Sequence, residues 1–376
     1  METDIAVGSG LKLTCSRDEL VGRLTTVARA VSTRSAVQVL LGVLLRAEDG
    51  RLELAATDME LSLRASLPAE VEAEGAVVVP GRLLVDLVRL LPAAEVSLEH
   101  RADEGSLRIE CGPASYRLNT YSAEDFPRLP ELEALQTFPV ERRALLETVS
   151  RVARSASRDE SRPVLTGILV RFESGKLVMA ATDSYRLSVK ETPLTGAGPE
   201  LEAIVPARAL VELGRSAGGG ETLELGVLEN QVVFRTEGVT LTTRRIDGQF
   251  PNVQQLLPDA FEHEVALPRG EFLDAVRRTA VMVQRNSPLR LRFAEGELTV
   301  SAQTQDVGES RESLPVAFSG EPLEIGFNAE FLRDGVDSVS GDELVLKLIS
   351  PLRPAVIQAS GDASWSYLIM PIRLAG

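Results

Sequence analysis

Residues 52–63 read LELAATDMELSL, and residues 177–189 read LVMAATDSYRLSV. Both carry Ala-Ala-Thr-Asp, at 55–58 and 180–183, an offset of 125 residues. The likeness extends outward from that tetrapeptide. Upstream, residues 39–45 (VLLGVLL) answer residues 164–170 (VLTGILV), each after a stretch with helical period. Downstream, Val79-Pro80 answers Val205-Pro206, and Asp125-Phe126-Pro127 answers Gln249-Phe250-Pro251. A third, fainter copy has a helix over 272–283, strands over 289–293 and 297–302, and Met370-Pro371 in place of the Phe-Pro. A fixed internal period marks one folding unit copied in tandem. Three copies of about 125 residues, each an ordinary domain size, fill the chain.

Within a copy the grammar is constant. A helix of about four turns leads to a buried apolar strand, a turn such as Glu48-Asp49-Gly50, and then alternating strands. The alternation at Leu52, Leu54 and at Leu61, Leu63 is that of half-buried antiparallel strands. A second, shorter helix follows, over 82–91, 207–215 and 329–334, with more strands behind it. Each domain is therefore predicted to be α+β, built of two β-α-β-β-β halves. Proline-bearing linkers at 127–137 and 257–262 bound the domains at 1–130, 137–257 and 261–376.

Aromatic residues make up only 4% of the 376, which predicts an aliphatic core of Leu, Val and Ala. No apolar run approaches the ~20 residues that span a bilayer. The start, with Glu2 and Asp4 and no basic stretch before an apolar one, does not read as a signal peptide. Cys15 and Cys111 form no disulfide framework and no metal spacing, so a cytoplasmic chain with reduced thiols is expected.

The net charge is −15, which by itself disfavours a nucleic-acid partner. Its distribution reverses that inference. On a helical wheel, Leu145, Val149, Val152 and Ala156 share one side, with Arg143, Arg151, Arg154 and Arg158 opposite. Phe272, Val276, Thr279 and Val283 face away from Arg277, Arg278 and Arg285, and Leu20, Leu24, Val27 and Val31 face away from Arg29. The six helices and adjoining turns hold 18 Arg and no Lys against 10 acids, a net of +8, which leaves −23 for the rest. Basic helices on an acidic chain are the electrostatic footprint of a phosphate backbone, bound without sequence readout.

Parts for catalysis are missing. There is no phosphate-binding glycine loop and no dinucleotide fingerprint, and Gly218-Gly219-Gly220 reads as a turn before a strand. His100 and His263 sit in polar stretches without metal-ligand neighbours. Asp58 and Asp183 recur, but each reads as a turn acid bonding local backbone. No catalytic residue, metal or cofactor is expected.

The threefold repeat, the Thr182-Asp183 and Arg186-Leu187 motif, Asp247-Gly248 before Phe250-Pro251, and the closing Met370-Pro371-Ile372-Arg373-Leu374 resemble the beta subunit of bacterial DNA polymerase III. The resemblance covers the whole chain. It implies a DNA clamp fold, in which two chains close head to tail into a ring of six domains, with helices lining the hole, sheets outside and sheets continuous across domain boundaries. It implies a non-enzymatic processivity factor that encircles duplex DNA, is placed there by a clamp loader, and tethers polymerase and repair proteins through a short linear peptide. The peptide pocket would be walled by Leu165, Thr182, Tyr185, Arg186, Leu187, Pro251, Leu256, Leu368, Met370, Pro371, Ile372 and Arg373, with Arg186 and Arg373 at the rim holding polar groups of the peptide. Arg34, Arg82 and Arg208 would contact DNA, joining Arg29, Arg151, Arg154, Arg158, Arg277 and Arg278 from the wheels. Tyr116, Leu118 and Met282 would lie at the homodimer interface.

The chain departs from the family pattern in places. Val37-Gln38-Val39-Leu40 stands where many members have Leu-Pro-Ile-Leu, and Arg162-Pro163-Val164 replaces an aromatic pair. Ser184 replaces a glycine, and Ala375-Gly376 extends past the Arg-Leu. These differences leave room for a paralogue that protects its host from a clamp-directed inhibitor, and a triplicated enzyme scaffold is the remaining alternative.

Overall fold

The structure, a computed structural model, describes residues 10–130, 135–173, 175–194, 201–216, 218–284, 287–304 and 308–374. Parts of the first linker (131–134), Arg285 and Ala375-Gly376 lie outside the described residues. The α-helices are α1 (Arg17–Val27), α2 (Gly81–Arg89), α3 (Arg142–Val152), the single turn α4 (Pro163–Thr166), α5 (Ala207–Ser216), α6 (Arg269–Ala280) and α7 (Ala329–Asp337). Apart from α4, each is preceded by one strand and followed by three, so six β-α-β-β-β sets succeed one another as the repeat predicted. One strand, Glu70–Ala73, is additional.

The helix starts are written locally. Ser16 caps α1 by accepting from the Glu19 amide at 3.5 Å, and Asp18 and Glu19 oppose the helix dipole in its first turn. Asn328 caps α7, accepting from the Phe331 amide at 3.1 Å. The first helices are shorter than expected. α1 and α3 stop at Val27 and Val152, and each passes into a 3-10 turn, Ala28–Ala30 and Ala153–Ser155.

The chain packs as two compact units, Met1–Arg142 with Glu212–Arg245, and Arg143–Val211 with Ile246–Gly376. Neither coincides with a sequence repeat, because strands pair across repeat boundaries. In the first unit an eight-stranded antiparallel sheet runs Thr137–Glu141, Thr222–Val227, Gln231–Thr236, Val239–Arg244, Leu61–Pro68, Arg51–Thr57, Gly42–Glu48, Gly75–Pro80. The join sets Leu241 opposite Leu63. In the second unit the order is Leu201–Pro206, Gly167–Glu173, Lys176–Thr182, Arg186–Pro193, Asp362–Ile369, Ala355–Ala359, Glu343–Leu348, His263–Pro268, and the join sets Leu187 opposite Leu368.

Each unit also holds a smaller sheet. In the first it is Glu70–Ala73, Lys12–Ser16, Glu95–Arg101, Ser106–Cys111, Ala114–Asn119. In the second it is Gly308–Pro315, Glu297–Thr304, Leu289–Ala294, Leu323–Phe327.

The core of the first unit is aliphatic as expected, with Leu20, Leu24, Leu45, Leu52, Leu54 and Leu63 fully buried, and Cys15 and Cys111 buried as free thiols. Burial pushes the Cys15 thiol up to about 12. The core of the second unit is also mostly aliphatic, and it takes in Phe272, Phe293, Phe318, Phe327, Trp365 and Tyr367 as well. Their polar atoms are satisfied: Trp365 Nε1 donates to Ser188 Oγ at 2.9 Å and Tyr367 OH to the Phe331 carbonyl at 2.8 Å. Both histidines are half-buried strand residues, and the His263 ring lies 5.0 Å from that of Phe318.

Candidate functional site

The repeated Thr-Asp motif builds the same turn twice. Asp183 Oδ1 accepts from the amides of Tyr185 at 2.9 Å and Arg186 at 3.0 Å, while Thr182 Oγ1 donates to the Arg186 carbonyl at 2.6 Å. Asp58 Oδ1 accepts from Glu60 and Leu61 at 3.1 and 2.9 Å, and Thr57 Oγ1 donates to the Leu61 carbonyl at 3.1 Å. Both acids are therefore structural, as their sequence context indicated. The third position of each turn, Met59 and Ser184, is left-handed with φ of 79°.

Strand alternation after this turn divides the motif between two faces of the eight-stranded sheet in the second unit. Leu187 and Leu368 point to the face that also carries Leu169, Ala180, Val253 and Val356, with Phe250, Leu257 and Phe261 packed against them. Arg186, one residue earlier, points the other way. Its Nη1 donates to Asp334 at 2.8 Å and its Nε to Asp183 at 3.0 Å, and its guanidinium carbon sits 4.3 Å from the Phe331 ring centroid. Burial pulls the Arg186 pKa down, but Tyr367, Asp334 and Asp183 together hold it above the ordinary value. The expected rim position of Arg186 is corrected: its side chain is 5% exposed and committed to α7, because position parity along the strand turns it inward. Arg373, in contrast, is exposed.

The remaining residues expected to wall the pocket lie around the ends of these strands. The Met370 amide donates to the Tyr185 carbonyl at 2.9 Å, which joins two side chains left 41% and 62% exposed. Leu256 is 47% exposed beside the short 3-10 turn Val253–Gln255. Thr182 is buried, and Leu165, Pro251, Pro371 and Ile372 are half-buried. Leu165 belongs to α4, and the loop carrying Pro251 packs close to that turn, since a Cβ on Gly248 would meet Val164 at 2.6 Å. The chain end is tied down by the Ile372 amide, which donates to the Gly326 carbonyl at 2.8 Å. The same apolar cluster holds Val253, Val356, Phe250 and Leu257, which sequence reasoning did not single out; the apolar spacing of the 250–257 loop was the available signal, whereas Val356 is placed opposite Leu368 only by the fold.

The arginines are less bare than the wheels implied. Arg154 and Arg158 lie beyond the end of α3, where a 100° wheel no longer applies. Arg151 is corrected as a solvent-facing residue: its side chain is 15% exposed, pairs with Glu147 at 3.3 Å and donates to the Ser338 carbonyl. Arg278 is held in two-point contact by Glu312, at 2.9 and 2.5 Å. Arg29 pairs with Glu212 at 3.3 Å, Arg154 with Asp337 at 2.6 Å, Arg158 with Glu330 at 4.0 Å, and Arg277 with Asp337 at 3.4 Å. Arg34, Arg82 and Arg208 are exposed.

Tyr116 and Leu118 belong to the edge strand Ala114–Asn119, the first exposed and the second buried. Met282 lies beside another edge strand, Gly308–Pro315, with its methyl 3.5 Å from where a Cβ on Gly308 would stand. Val281, exposed and unremarked in the sequence, adjoins it. Among the described residues no group of three His, Cys, Asp or Glu is placed to hold a metal, and no helix is long and apolar enough to cross a membrane.

Three mixed α+β domains built from paired β-α-β-β-β sets, with sheets running across the repeat boundaries, define the architecture of a DNA clamp. The sequence matches the models for the N-terminal, central and C-terminal domains of the DNA polymerase III beta subunit over residues 11–130, 139–252 and 254–373. It is 36% identical over 375 residues to the beta sliding clamp of Synechococcus elongatus, and 34% identical over 380 residues to that of Streptomyces coelicolor. Each alignment covers 97% of this chain and 100% of the relative. The crystal structure of the DNA polymerase sliding clamp from Bacillus subtilis superposes with a TM-score of 0.92 at 26% identity, over 97% of this chain and 100% of that one. The chain belongs to the DNA polymerase III beta subunit family, the sliding clamps of bacterial DNA replication.

Proposed function

We propose that two copies of this chain close head to tail into a ring that encircles duplex DNA, slides along it without reading sequence, and tethers the replicative polymerase. The observation that carries this is the segregation of charge. The segments read as helices and adjoining turns hold +8 in a chain of −15, or +7 once Asp337 at the end of α7 is counted, so the helix side attracts a phosphate backbone while the rest repels it. The domains are 1–130, 137–257 and 261–376. The edge strands Ala114–Asn119 and Gly308–Pro315 suit closure, since each leaves backbone groups at a sheet edge for a second copy to pair. Tyr116, Leu118, Val281 and Met282 supply the apolar contacts of that junction.

The partner pocket is the exposed group Tyr185, Leu256 and Met370 at the end of the Leu187–Leu368 join, with Leu165, Thr182, Pro251, Pro371 and Ile372 as walls and Arg373 at the rim. An apolar cleft with few polar groups suits the short peptide of a polymerase, a clamp loader or a repair protein. The work is topological: the chain hydrolyses nothing and acts in the cytoplasm on DNA delivered to it. Among its arginines, Arg29, Arg34, Arg82, Arg154, Arg158, Arg208, Arg277 and Arg278 are the DNA-facing set.

An inhibitor-protecting paralogue is not favoured. Ser184 keeps the same φ and the same hydrogen bonds as Met59, so the serine leaves the pocket turn unchanged in shape.

The test is retention. Labelled protein is loaded on nicked circular duplex by a bacterial clamp loader with ATP, freed of unbound protein, and the circle is then cut once. Retention in moderate salt followed by rapid loss on cutting is expected. Equal retention before and after cutting means ordinary electrostatic binding and rules the ring mechanism out.

A further inference from the structure

Asp337 closes α7, and its carboxylate is shared by three arginines: Arg154 at 2.6 Å, Arg277 at 3.4 Å and Arg269 at 3.7 Å. Arg269 also donates to the Val336 and Asp337 carbonyls at 3.3 and 3.0 Å, where a helix C-terminus favours a cation. Arg154 and Arg277 are held by carboxylates, Asp337 for both and Asp274 for Arg277 at 3.7 Å. They remain 48% and 51% exposed, so most of their N–H donors still face solvent. Ion pairs this exposed contribute little to stability. Folding is therefore a weak reason to set an acid among these arginines.

The arrangement recurs in the first unit. Arg29 stands at the repeat position of Arg154, and Glu212 accepts from it at 3.3 Å and from Arg215 at 2.6 Å. Both pairs, Arg29–Glu212 and Arg154–Asp337, are separated by 183 residues.

We propose that Asp337 is a counter-ligand that receives Arg154 and Arg277 whenever a DNA phosphate does not, so that this face exchanges its phosphate contacts instead of fixing them. The proposal rests on the clamp reading above. Each phosphate neutralised adds to affinity and to its salt dependence. An arginine already paired must leave its carboxylate to take a phosphate, so the net gain per contact is small. Moving to the next phosphate, it passes through Asp337 rather than through solvent. The potential along the duplex is flattened, as sliding requires. Hydrogen bonding from Arg154 holds the Asp337 carboxyl below the usual carboxylate range, which keeps it charged at neutral pH. Asp337 is a positioning residue, acting through the two arginines.

The test compares full-length wild type, Asp337→Asn and Asp337→Glu on a short fluorescent duplex across a salt series, with thermal melting as a control. Asp337→Asn should bind about 3–10-fold tighter at low salt, with the slope of log K against log salt steeper by about one. Asp337→Glu should follow wild type, and loaded Asp337→Asn rings should diffuse more slowly in single-molecule tracking. A purely structural role would lower the melting point and weaken binding without steepening the slope. Equal or weaker binding by Asp337→Asn overturns the proposal, as does Asp337→Glu behaving like Asp337→Asn. Absence of duplex binding and of retention on circles by wild type is the failure of the clamp reading itself; it removes the proposal too and is recognised in the unmutated chain.

Discussion

Arg186 reaches Asp334 at 2.8 Å on the sheet face opposite Leu187, and so ties the turn carrying Tyr185 to helix α7. The same guanidinium holds Asp183 at 3.0 Å, and both carboxylates are largely buried. Removing the cation leaves buried Asp183 with only its turn amides and buried Asp334 with only the part-exposed Arg333, at 3.3 Å. Arg186→Ala should lower the free energy of unfolding by about 3–5 kcal/mol in denaturant titration. The paired change Arg186→Met with Asp334→Leu should recover part of that loss. Equal stability of Arg186→Ala and wild type would show the network to be dispensable.

Ser184 and Met59 hold a backbone conformation that favours glycine. Ser184→Gly and Met59→Gly should each stabilise by about 1 kcal/mol. The denaturant midpoint should rise with an unchanged slope. Ser184→Gly gives up one exposed contact, from Arg162 Nη1 at 3.1 Å, and so should gain the less of the two.

Tyr185 and Met370 are exposed, whereas Leu187 is buried. Tyr185→Ala and Met370→Ala should leave stability within about 0.5 kcal/mol of wild type. Each should weaken binding of a clamp-binding peptide about tenfold or more by calorimetry while leaving retention on circular DNA intact. Leu187→Ala should instead destabilise by about 2–5 kcal/mol. Full peptide affinity in the Tyr185→Ala, Met370→Ala double variant would place the partner site elsewhere.

The Asp337 carboxyl is held below its ordinary 3.8, chiefly by the hydrogen bond from Arg154 and against the effect of burial. As pH falls the unfolded chain takes up this proton first. The contribution of Asp337 to stability is thus complete above pH 3.8 and is lost as pH drops through the depressed value. Denaturation measured from pH 6 downward (roughly to pH 3) should show a shallower acid limb for Asp337→Asn than for wild type.

Much of this molecule is local and was legible in the chain. The 125-residue offset, the β-α-β-β-β grammar, the Thr-Asp turns and the apolar faces of α1, α3 and α6 all depend on neighbours a few residues apart, where side-chain period and turn chemistry act directly. The residues proposed for the partner pocket were named through motif resemblance alone, which set Leu187 and Met370 beside Thr182 and Pro371.

Tertiary structure decided what depends on partners far along the chain. Alternating strands look alike in sequence, so nothing local states that Val239–Arg244 pairs with Leu61–Pro68, or Arg186–Pro193 with Asp362–Ile369. Those pairings make the compact units differ from the repeats. They also place Arg186 under α7 while Leu187 faces Leu169, Val253 and Val356, because a strand turns successive residues to opposite faces and only the packed fold says what covers each. The arginines follow the same logic. Sequence by itself determined that they gather on the helices; the fold decided which are clasped by an acid 183 residues away, because Coulomb attraction depends on distance in space and not along the chain.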